Sequence, residues 1–379
     1  MPWKDSSIMS VRLEFVHLAR QDGANIRDLC RRYGVSPPTA YKWLNRVEAD
    51  GAIDLREQSR RPHNSPGKTP DAMEKEILQL REDQPTWGGR KISARLIALG
   101  HYNVPAPSTV TEVLRRHGKL DASRTADDKA PLRFEYDNPN DLWQMDFKGH
   151  FPIKEGRCHP LTILDDHSRF SVSLRASTNE QGETVQKELT ACFRLFGLPK
   201  RILTDHGSPW SSQGRGLTKL EAWMMRLDIK VMHGRACHPQ TQGKDERFHR
   251  TLKNDVLQFN VPEDLASCQR AFDKFRNVYN HERPHEALGM QTPISRYMPS
   301  SRAFPEVLPP IEYCSQDEVR KVSFPGQIRF QGRRILVSQG LLGQYVALRQ
   351  TLEDGVYDVV YCSTIVRQIN LRKSTEKVL

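Results

Sequence analysis

The spacing of apolar residues divides the chain into a helical front part, a mixed central part and a β-rich end. In the front part, apolar positions recur every three to four residues, which predicts helices at Ile8–Arg20, at Ile26–Tyr33 and from Ser36. Gly34 suits the tight turn before the third helix, and Ser36 is a residue type that caps helices. These proportions predict a helix-turn-helix domain over residues 1–55.

The outward side of the third helix would present Thr39, Lys42 and Arg46, which suit a DNA groove and its phosphates. A plain helical bundle has similar spacing, so the charge of the chain matters. The 57 Lys and Arg residues exceed the 46 Asp and Glu residues and give a net charge of +11. This excess favours a polyanionic partner, nucleic acid ahead of a membrane surface, although composition alone allows simple colloidal charge equally well.

A polar joint at 56–68 separates this domain from a second helical block at 69–118, which has weaker helix-turn-helix proportions. The block predicts either a second DNA-binding module or a small structural bundle. Its three helices are predicted at Met73–Arg81, Arg90–Leu99 and Ser108–His117. Residues 119–141 are charged and poor in aliphatic side chains, which is typical of a linker.

From Leu142 the pattern changes to strands, at Leu142–Gly149, Leu161–Asp166 and Phe170–Ala176. An amphipathic helix at Glu180–Phe196 follows, and then a short strand that begins at Ile202. The next predicted elements are a helix near Leu217–Arg226, a strand at Ile229–Met232 and a long helix from about Gln240. Three antiparallel strands followed by alternating helices and strands predict a ribonuclease-H-like α/β core over residues 142–298.

Residues 299–317 are rich in Pro and Ser, which predicts another linker. Residues 319–372 alternate β-branched with polar side chains and carry turn dipeptides, which predicts a small all-β barrel. The fold class is therefore multidomain: all-α helix-turn-helix modules, a central α/β ribonuclease-H-like core and a C-terminal all-β barrel.

Three carboxylates in the core are candidates for chemistry. Asp146 lies on the strand face opposite Trp143, Met145 and Phe147. Asp205 ends the Ile202 strand, where ligands of α/β sheets bind. Glu246 lies roughly 200° from the buried residue Phe248 on its helix. Taken singly, a solvated face, a turn aspartate and a surface ion pair explain each of them equally well.

Together, two Asp and one Glu from different elements suit Mg²⁺, which prefers carboxylate oxygens. Two such ions, roughly 3.5–4 Å apart, can activate a nucleophile and stabilise a leaving oxygen in phosphodiester chemistry. Asp165, Asp166 and Asp245 are nearby acids, and Asp166 either lines the site or belongs to a hairpin turn. Lys244, Arg250 and Lys253 are predicted to face DNA on the same helix as Glu246.

The seven cysteines are scattered without a CxxC pair, so a disulfide framework is not indicated. Histidines and cysteines near the core fit no regular zinc finger, and packing or loop roles are favoured over zinc. The residues concerned are Cys158, His159, His206, His233, Cys237 and His238. No signal peptide and no long apolar run is visible, so we expect a soluble, cytosolic protein without a membrane partner that acts on intracellular DNA or RNA.

Five motifs in sequence order closely resemble the integrase-type core of bacterial insertion-sequence transposases, which share that core with retroviral integrases. They are Trp143–Gly149, Leu161–Arg169, Thr204–Gly207, His238–Arg247 and Tyr279–His285. The resemblance runs from about residue 140 to residue 297, and the helical front end is similar to the paired DNA-binding modules of these transposases. The His/Cys zinc domain of retroviral integrases is absent from this sequence.

The resemblance implies that Asp146, Asp205 and Glu246 are the catalytic, metal-binding DDE residues, with two Mg²⁺ ions or Mn²⁺ as a substitute. More residues lie between Asp205 and Glu246 than the family usually has. The implied activity is cleavage at the element's ends and strand transfer into target DNA. The implied partners are double-stranded DNA, as terminal inverted repeats and target, and further copies of the chain in a homodimer or larger assembly. Rival hypotheses are a catalytically inactive DNA-binding regulator and a hydrolytic ribonuclease-H-like nuclease.

Overall fold

The computed structural model describes residues 8–46, 55, 67–120, 135–210, 216–234, 243–258 and 262–372. These residues form two compact units, Met1–Lys68 and Thr69–Leu379. Predicted features at Cys237, His238 and Gln240 lie outside the described residues. Within the described part of the chain, no helix has both the length and the apolar character needed to cross a membrane.

The first unit contains three helices, and its turns follow from particular residues. The helices are α1 (Ile8–Ala19), α2 (Ile26–Tyr33) and α3 (Pro37–Leu44). Gly34 ends α2 in the left-handed conformation, with φ 64°, which glycine adopts without strain. The Ser36 side chain accepts a hydrogen bond from the Thr39 amide and caps α3. The predicted helix-turn-helix geometry is confirmed.

The second unit begins with α4 (Asp71–Asp83), α5 (Gly89–Ala98) and α6 (Pro107–Arg116). Gly89 allows α5 and α6 to touch, because a Cβ atom there would lie 2.4 Å from the Pro107 carbonyl oxygen. The apolar side chains of the three helices share one core around Ile77 and Trp87. Val278, from a later helix, packs against this core, so the block rests on the central domain.

The central domain has the order of strands and helices along the chain that was predicted for a ribonuclease-H-like core. The main path of its sheet is β2–β3–β1–β5–β6, and β4 pairs with the other side of β3. Strand β1 is antiparallel to β3 and parallel to β5, which puts the ends of β1 and β5 at one edge. The strands are β1 (Trp143–Phe147), β2 (Phe151–Ile153), β3 (Gly156–Asp165), β4 (Ser171–Ser177), β5 (Arg201–Thr204) and β6 (Lys230–His233).

Strand β2 and the first half of β3 were not predicted. The two strands form a tight hairpin in which Ile153 pairs with Gly156. Strand β2 contains only three residues, and one of them is Pro152. Its alternation of apolar and polar residues is therefore too short to predict a strand.

Helices cover both faces of the sheet. On one face, α7 (Gly182–Phe196) and α8 (Lys219–Arg226) pack against Trp143, Met145 and Ile163. On the other face lie α9 (Gly243–Leu252), a π-helical turn at Lys253–Leu257 and α10 (Leu265–His281). Phe248 and Leu252 of α9 are buried there.

The segment predicted as the second linker lies along the core. The Ser300 amide donates to the Phe196 carbonyl oxygen at 2.7 Å, and Arg302 donates to the Pro199 carbonyl oxygen at 2.8 Å. The following all-β domain packs on α8 at Gly340, where a Cβ atom would lie 2.2 Å from the Leu217 carbonyl oxygen.

The C-terminal domain is all-β as predicted, but a closed barrel is not formed. Between residues 318 and 370, which are all described, the ladders give a four-stranded sheet β12–β11–β10–β7 and a separate hairpin β8–β9. Pro325 stands between β7 and β8 and has no amide hydrogen to extend a ladder. The strands are β7 (Glu318–Lys321), β8 (Gln327–Phe330), β9 (Arg333–Leu336), β10 (Tyr345–Gln350), β11 (Val356–Tyr361) and β12 (Thr364–Asn370).

Candidate active site

Asp146 is half-buried in β1, on the sheet face that carries α9. Its cross-strand partner is Thr162, whose hydroxyl donates to the Asp146 carbonyl oxygen at 2.9 Å. Nε2 of His249, on α9, lies 2.9 Å from the same hydroxyl. Burial and the neighbouring Lys148 charge lower the pKa of His249 to about 4, so the ring is neutral near pH 7. Thr162 and His249 therefore fix the backbone that presents Asp146.

Asp205 directly follows β5, and its side chain is held by a backbone amide of the turn that comes after it. Its Oδ1 accepts a hydrogen bond from the Gly207 amide at 3.0 Å, which is the turn role that sequence reasoning left open. Nδ1 of His233 lies 3.1 Å from the Asp205 carbonyl oxygen, and Nε2 of His233 lies 2.9 Å from the buried Glu221. The hydrogen bond to Glu221 raises the pKa of His233.

Asp146 and Asp205 are close enough to repel each other. The pKa of Asp146 is raised to about 7, first by burial, then by the Asp205 charge and to a smaller extent by Glu180. A divalent cation between the two carboxylates would remove this repulsion, and carboxylate oxygens are the donors that Mg²⁺ and Mn²⁺ prefer. The side chains present thus fit a divalent metal ion.

The third predicted carboxylate, Glu246, is exposed on α9. The preceding residue, Asp245, is 2% exposed, and its Oδ1 has no hydrogen-bond partner among the described side chains. Burial, Asp146 and Asp166 raise the pKa of Asp245 well above the usual value. The structure therefore brings Asp245 close to Asp146.

The other two nearby acids are fixed in different ways. Asp165 is the turn residue: it accepts bonds from the Ser168 hydroxyl at 2.5 Å and from the Asn140 amide at 2.7 Å. Asp166 is fully buried and accepts a bond from Gln144 at 2.7 Å, and it forms an ion pair with Lys244. Asp166 is thus a buried acid that is paired with Lys244 and hydrogen-bonded to Gln144.

The predicted DNA-facing cations differ in their surroundings. The Lys244 side chain is only 16% exposed and is bound to Asp166, an environment unlike that of a DNA-facing residue. Arg250 and Lys253 lie exposed on α9 and in the turn after it. In the first unit, Lys42 and Arg46 lie 4.5 Å and 4.6 Å from the centroid of the Trp43 ring, and Thr39 shares a hydrogen bond with Ser36.

Several neighbours of the aspartates were not identified from the sequence, among them Gln144, His249 and the His233–Glu221 pair. Alternation along β1 places Gln144 on the Asp146 face, which is a usable signal. His249 lies three residues after Glu246 on α9 and so shares part of its helix surface. The partners of His233 are distant in sequence and give no local pattern.

Five protein-family comparisons match the chain. The Integrase core domain family matches residues 137–239, and a second Integrase core domain family matches residues 227–293. The C-terminal domain of IS481 family transposases matches residues 317–377. A Helix-turn-helix domain family matches residues 11–63, and a Homeodomain-like domain family matches residues 39–114. The helix-turn-helix and integrase domains indicate DNA binding.

Similar curated proteins include products of mobile elements. The insertion element IS407 uncharacterized 31.7 kDa protein of Burkholderia multivorans is 26% identical, over 41% of this chain and 54% of that protein. The insertion element IS476 uncharacterized 39.2 kDa protein of Xanthomonas euvesicatoria is 29% identical, over 41% and 43%. The chain thus spans about half the length of these two relatives. The transposase for transposon Tn552 of Staphylococcus aureus is 23% identical, over 87% of this chain and 76% of that protein.

Two solved structures are also similar. A chain of the simian T-cell lymphotropic virus intasome, in complex with a PP2A regulatory subunit, has a TM-score of 0.40 and 19% identity, over 78% of this chain and 96% of that chain. The HTLV-2 integrase catalytic core domain in complex with magnesium has a TM-score of 0.33 and 21% identity, over 42% and 98%.

Proposed function

Since the chain belongs to the bacterial insertion-sequence transposases with an integrase-type core, we propose that it is a DDE transposase. It cuts DNA at the ends of its element and joins the freed ends to target DNA. The observation that carries this proposal is the approach of Asp146 and Asp205 at adjacent strand ends, close enough to raise the pKa of Asp146 to about 7. Two repelling carboxylates beside the exposed cations Arg250 and Lys253 are suited to phosphodiester chemistry with divalent metal ions.

We assign metal binding to Asp146, Asp205 and Glu246. Glu246 is chosen over Asp245 because the resemblance to the integrase-type core places the third carboxylate on Glu246, and its side chain is exposed rather than buried. When bound, two Mg²⁺ ions, or Mn²⁺ in their place, would activate the attacking oxygen and stabilise the leaving oxygen of the scissile phosphodiester.

The protein's own residues hold the reacting groups. Thr162 and His249 fix the Asp146 strand, and His233 with Glu221 fixes the carbonyl group of Asp205. Water first attacks the phosphorus and a 3′-hydroxyl leaves with a proton. That hydroxyl then attacks a target phosphodiester, forming one P–O bond as another breaks. No side chain becomes covalently attached to DNA in either step.

We propose five segments with separate roles. The helix-turn-helix domain (1–55) and the second module (69–118) recognise terminal inverted repeats. In the helix-turn-helix domain, the residues that contact the DNA are Thr39, Lys42 and Arg46. Residues 119–141 link them to the catalytic core (142–298), where Arg250 and Lys253 contact phosphates. The C-terminal all-β domain (319–372) follows the core and packs on it at Gly340. A homodimer or larger homo-oligomer pairs two ends on the nucleoid of a bacterial cytoplasm.

A strand-transfer assay tests the proposal. Purified protein is mixed with Mg²⁺ or Mn²⁺, a labelled duplex from the flank of the gene and a target plasmid, alongside the Asp205→Asn variant. We expect labelled joined product from the wild type alone. Binding without joining would support the inactive regulator, and cleavage without joining would support the hydrolytic nuclease.

A further inference from the structure

His150, His159 and Glu180 come together beside the candidate active site. One potential ligand atom from each residue lies within 4.8 Å of the other two. Nδ1 of His159 is 2.8 Å from Glu180 Oε1, and the centroids of the two imidazole rings are 5.2 Å apart. Two imidazoles and one carboxylate converge at this point, outside the cluster of aspartates.

Three separate elements supply these side chains. His150 lies in the turn between β1 and β2, His159 lies in β3, and Glu180 lies just before α7. The His159 side chain is 18% exposed and that of Glu180 is 36% exposed, so their positions are set by packing while one side stays open. Such an arrangement resembles a preformed ligand set more than a surface ion pair between two mobile side chains.

The hydrogen bonds at these side chains show which protein contacts a metal ion would replace. NH1 of Arg157 lies 2.9 Å from Nε2 of His150. A guanidinium group can only donate, so this nitrogen accepts and carries no proton. In the His159–Glu180 hydrogen bond, Nδ1 of the imidazole donates to the carboxylate; a cation bound at Nδ1 would take the place of that proton, which the neutral ring then carries on Nε2.

We propose that His150, His159 and Glu180 form a transition-metal site, for Zn²⁺ or a chemically similar dication, separate from the carboxylate site. Imidazole nitrogens suit Zn²⁺, whereas Mg²⁺ prefers oxygen ligands alone. Two histidines and one glutamate leave a fourth, open position in a tetrahedral zinc site. The bound ion would tie the β1–β2 turn to β3 and to the start of α7, and so brace the strand that carries Asp146.

The sequence favoured a packing role for His159, since the spacing of its histidines and cysteines fits no zinc finger. His150 and Glu180 are 30 positions apart and meet only because the β2–β3 hairpin and the end of β4 return to the same edge of the sheet. A site of this kind has no local sequence pattern.

The test is metal binding by the full-length, chelator-stripped protein in excess Mg²⁺. Zn²⁺ is titrated by calorimetry, and Co²⁺ replaces it as a spectroscopic probe of four-coordinate geometry. The variants are His150→Ala, which changes an exposed turn residue and spares the core, and Glu180→Gln. His281→Ala, at an exposed histidine on α10, is the matched control. Asp205→Asn removes a carboxylate of the other site.

We expect one Zn²⁺ per chain, bound about 100-fold more weakly or worse in His150→Ala and Glu180→Gln. His281→Ala and Asp205→Asn should bind as the wild type does. Saturating Zn²⁺ should raise the melting temperature of the wild type but not of His150→Ala. Zinc binding that is absent, that survives His150→Ala, or that disappears in Asp205→Asn would overturn the proposal.

Discussion

Asp245 and Glu246 are neighbours on α9 and face opposite environments. The Asp245 side chain is 2% exposed and close to Asp146 and Asp166, whereas Glu246 is exposed. Consecutive helical residues differ by about 100° around the axis, which is enough to separate a core position from a surface one. A buried acid with an unpartnered oxygen costs stability, while an exposed one costs little. The two residues should therefore respond differently to removal of their charge.

Asp245→Asn should stabilise the protein, and the gain should be larger at pH 8 than at pH 5. The raised pKa of Asp245 means that the folded state favours the neutral form, which the amide imitates at every pH. Glu246→Gln should leave the free energy of unfolding within about 0.5 kcal/mol of wild type and reduce strand transfer at least about 100-fold. Urea denaturation measures the free energy of unfolding of each variant, and the strand-transfer assay measures its joining activity. Loss of joining in Asp245→Asn alone would move the third metal ligand to Asp245.

The raised pKa of Asp146 makes the stability of the metal-free protein depend on pH. The carboxyl has a usual pKa of 3.8 and a folded-state pKa of about 7. The unfolded state loses its proton first, so stability falls as pH rises from about 4 to about 7, and the loss persists at higher pH. A shift of this size corresponds to about 4 kcal/mol at most.

Asp146→Asn should abolish strand transfer and, in EDTA, raise the urea midpoint at pH 8 while leaving it nearly unchanged at pH 4. Asp137→Asn, at an exposed aspartate before β1, is the control and should shift neither midpoint. Equal effects of Asp146→Asn at the two pH values would show that the carboxyl titrates normally in the folded protein.

Local patterns predicted the parts of the fold that local chemistry determines. Gly34 marked the end of α2 and Ser36 marked the start of α3. The alternation in β1 put Asp146 and Trp143 on opposite faces of the strand. The burial of Asp245 could also have been predicted from the sequence, because Asp245 lies only about 60° from Phe248 on a helical wheel. The Lys244–Asp166 ion pair could not have been predicted from local patterns, since its partners are 78 residues apart and meet only through the packing of α9 on the sheet.

Lys244 should behave as a structural residue. Lys244→Met would leave the fully buried Asp166 carboxylate without its counter-charge, which costs about 3–5 kcal/mol of unfolding free energy. The double variant Lys244→Met/Asp166→Asn should recover most of that loss. Lys253→Ala, at an exposed position, should change stability by less than about 0.5 kcal/mol.

DNA binding separates these cations further. Lys253→Ala should weaken binding of any duplex and reduce the slope of log affinity against log salt by about 0.9, the value for one phosphate contact. Lys244→Met/Asp166→Asn should keep the wild-type slope. Fluorescence anisotropy over a salt series measures both, and a reduced slope in the double variant would restore Lys244 to the DNA-contacting set.

Asp255 should hold the second helical module on the catalytic core. Its carboxylate accepts hydrogen bonds from Thr86, on the module, at 2.7 Å and from Arg283, after α10, at 2.6 Å. The Arg283 and Asp255 side chains are 10% and 14% exposed, so Asp255→Ala leaves a buried guanidinium unpaired and should cost about 3–5 kcal/mol. Arg90→Ala removes an exposed pair with Glu286 across the same contact, with side chains 69% and 47% exposed, and should cost at most about 1 kcal/mol.

Hydrogen exchange of the α4–α6 amides is the measurement: exchange should accelerate in Asp255→Ala and stay unchanged in Arg90→Ala. Equal exchange in both variants would mean that Asp255 does not hold the module, and would leave that role to the apolar packing around Val278 and the Arg95–Glu282 ion pair.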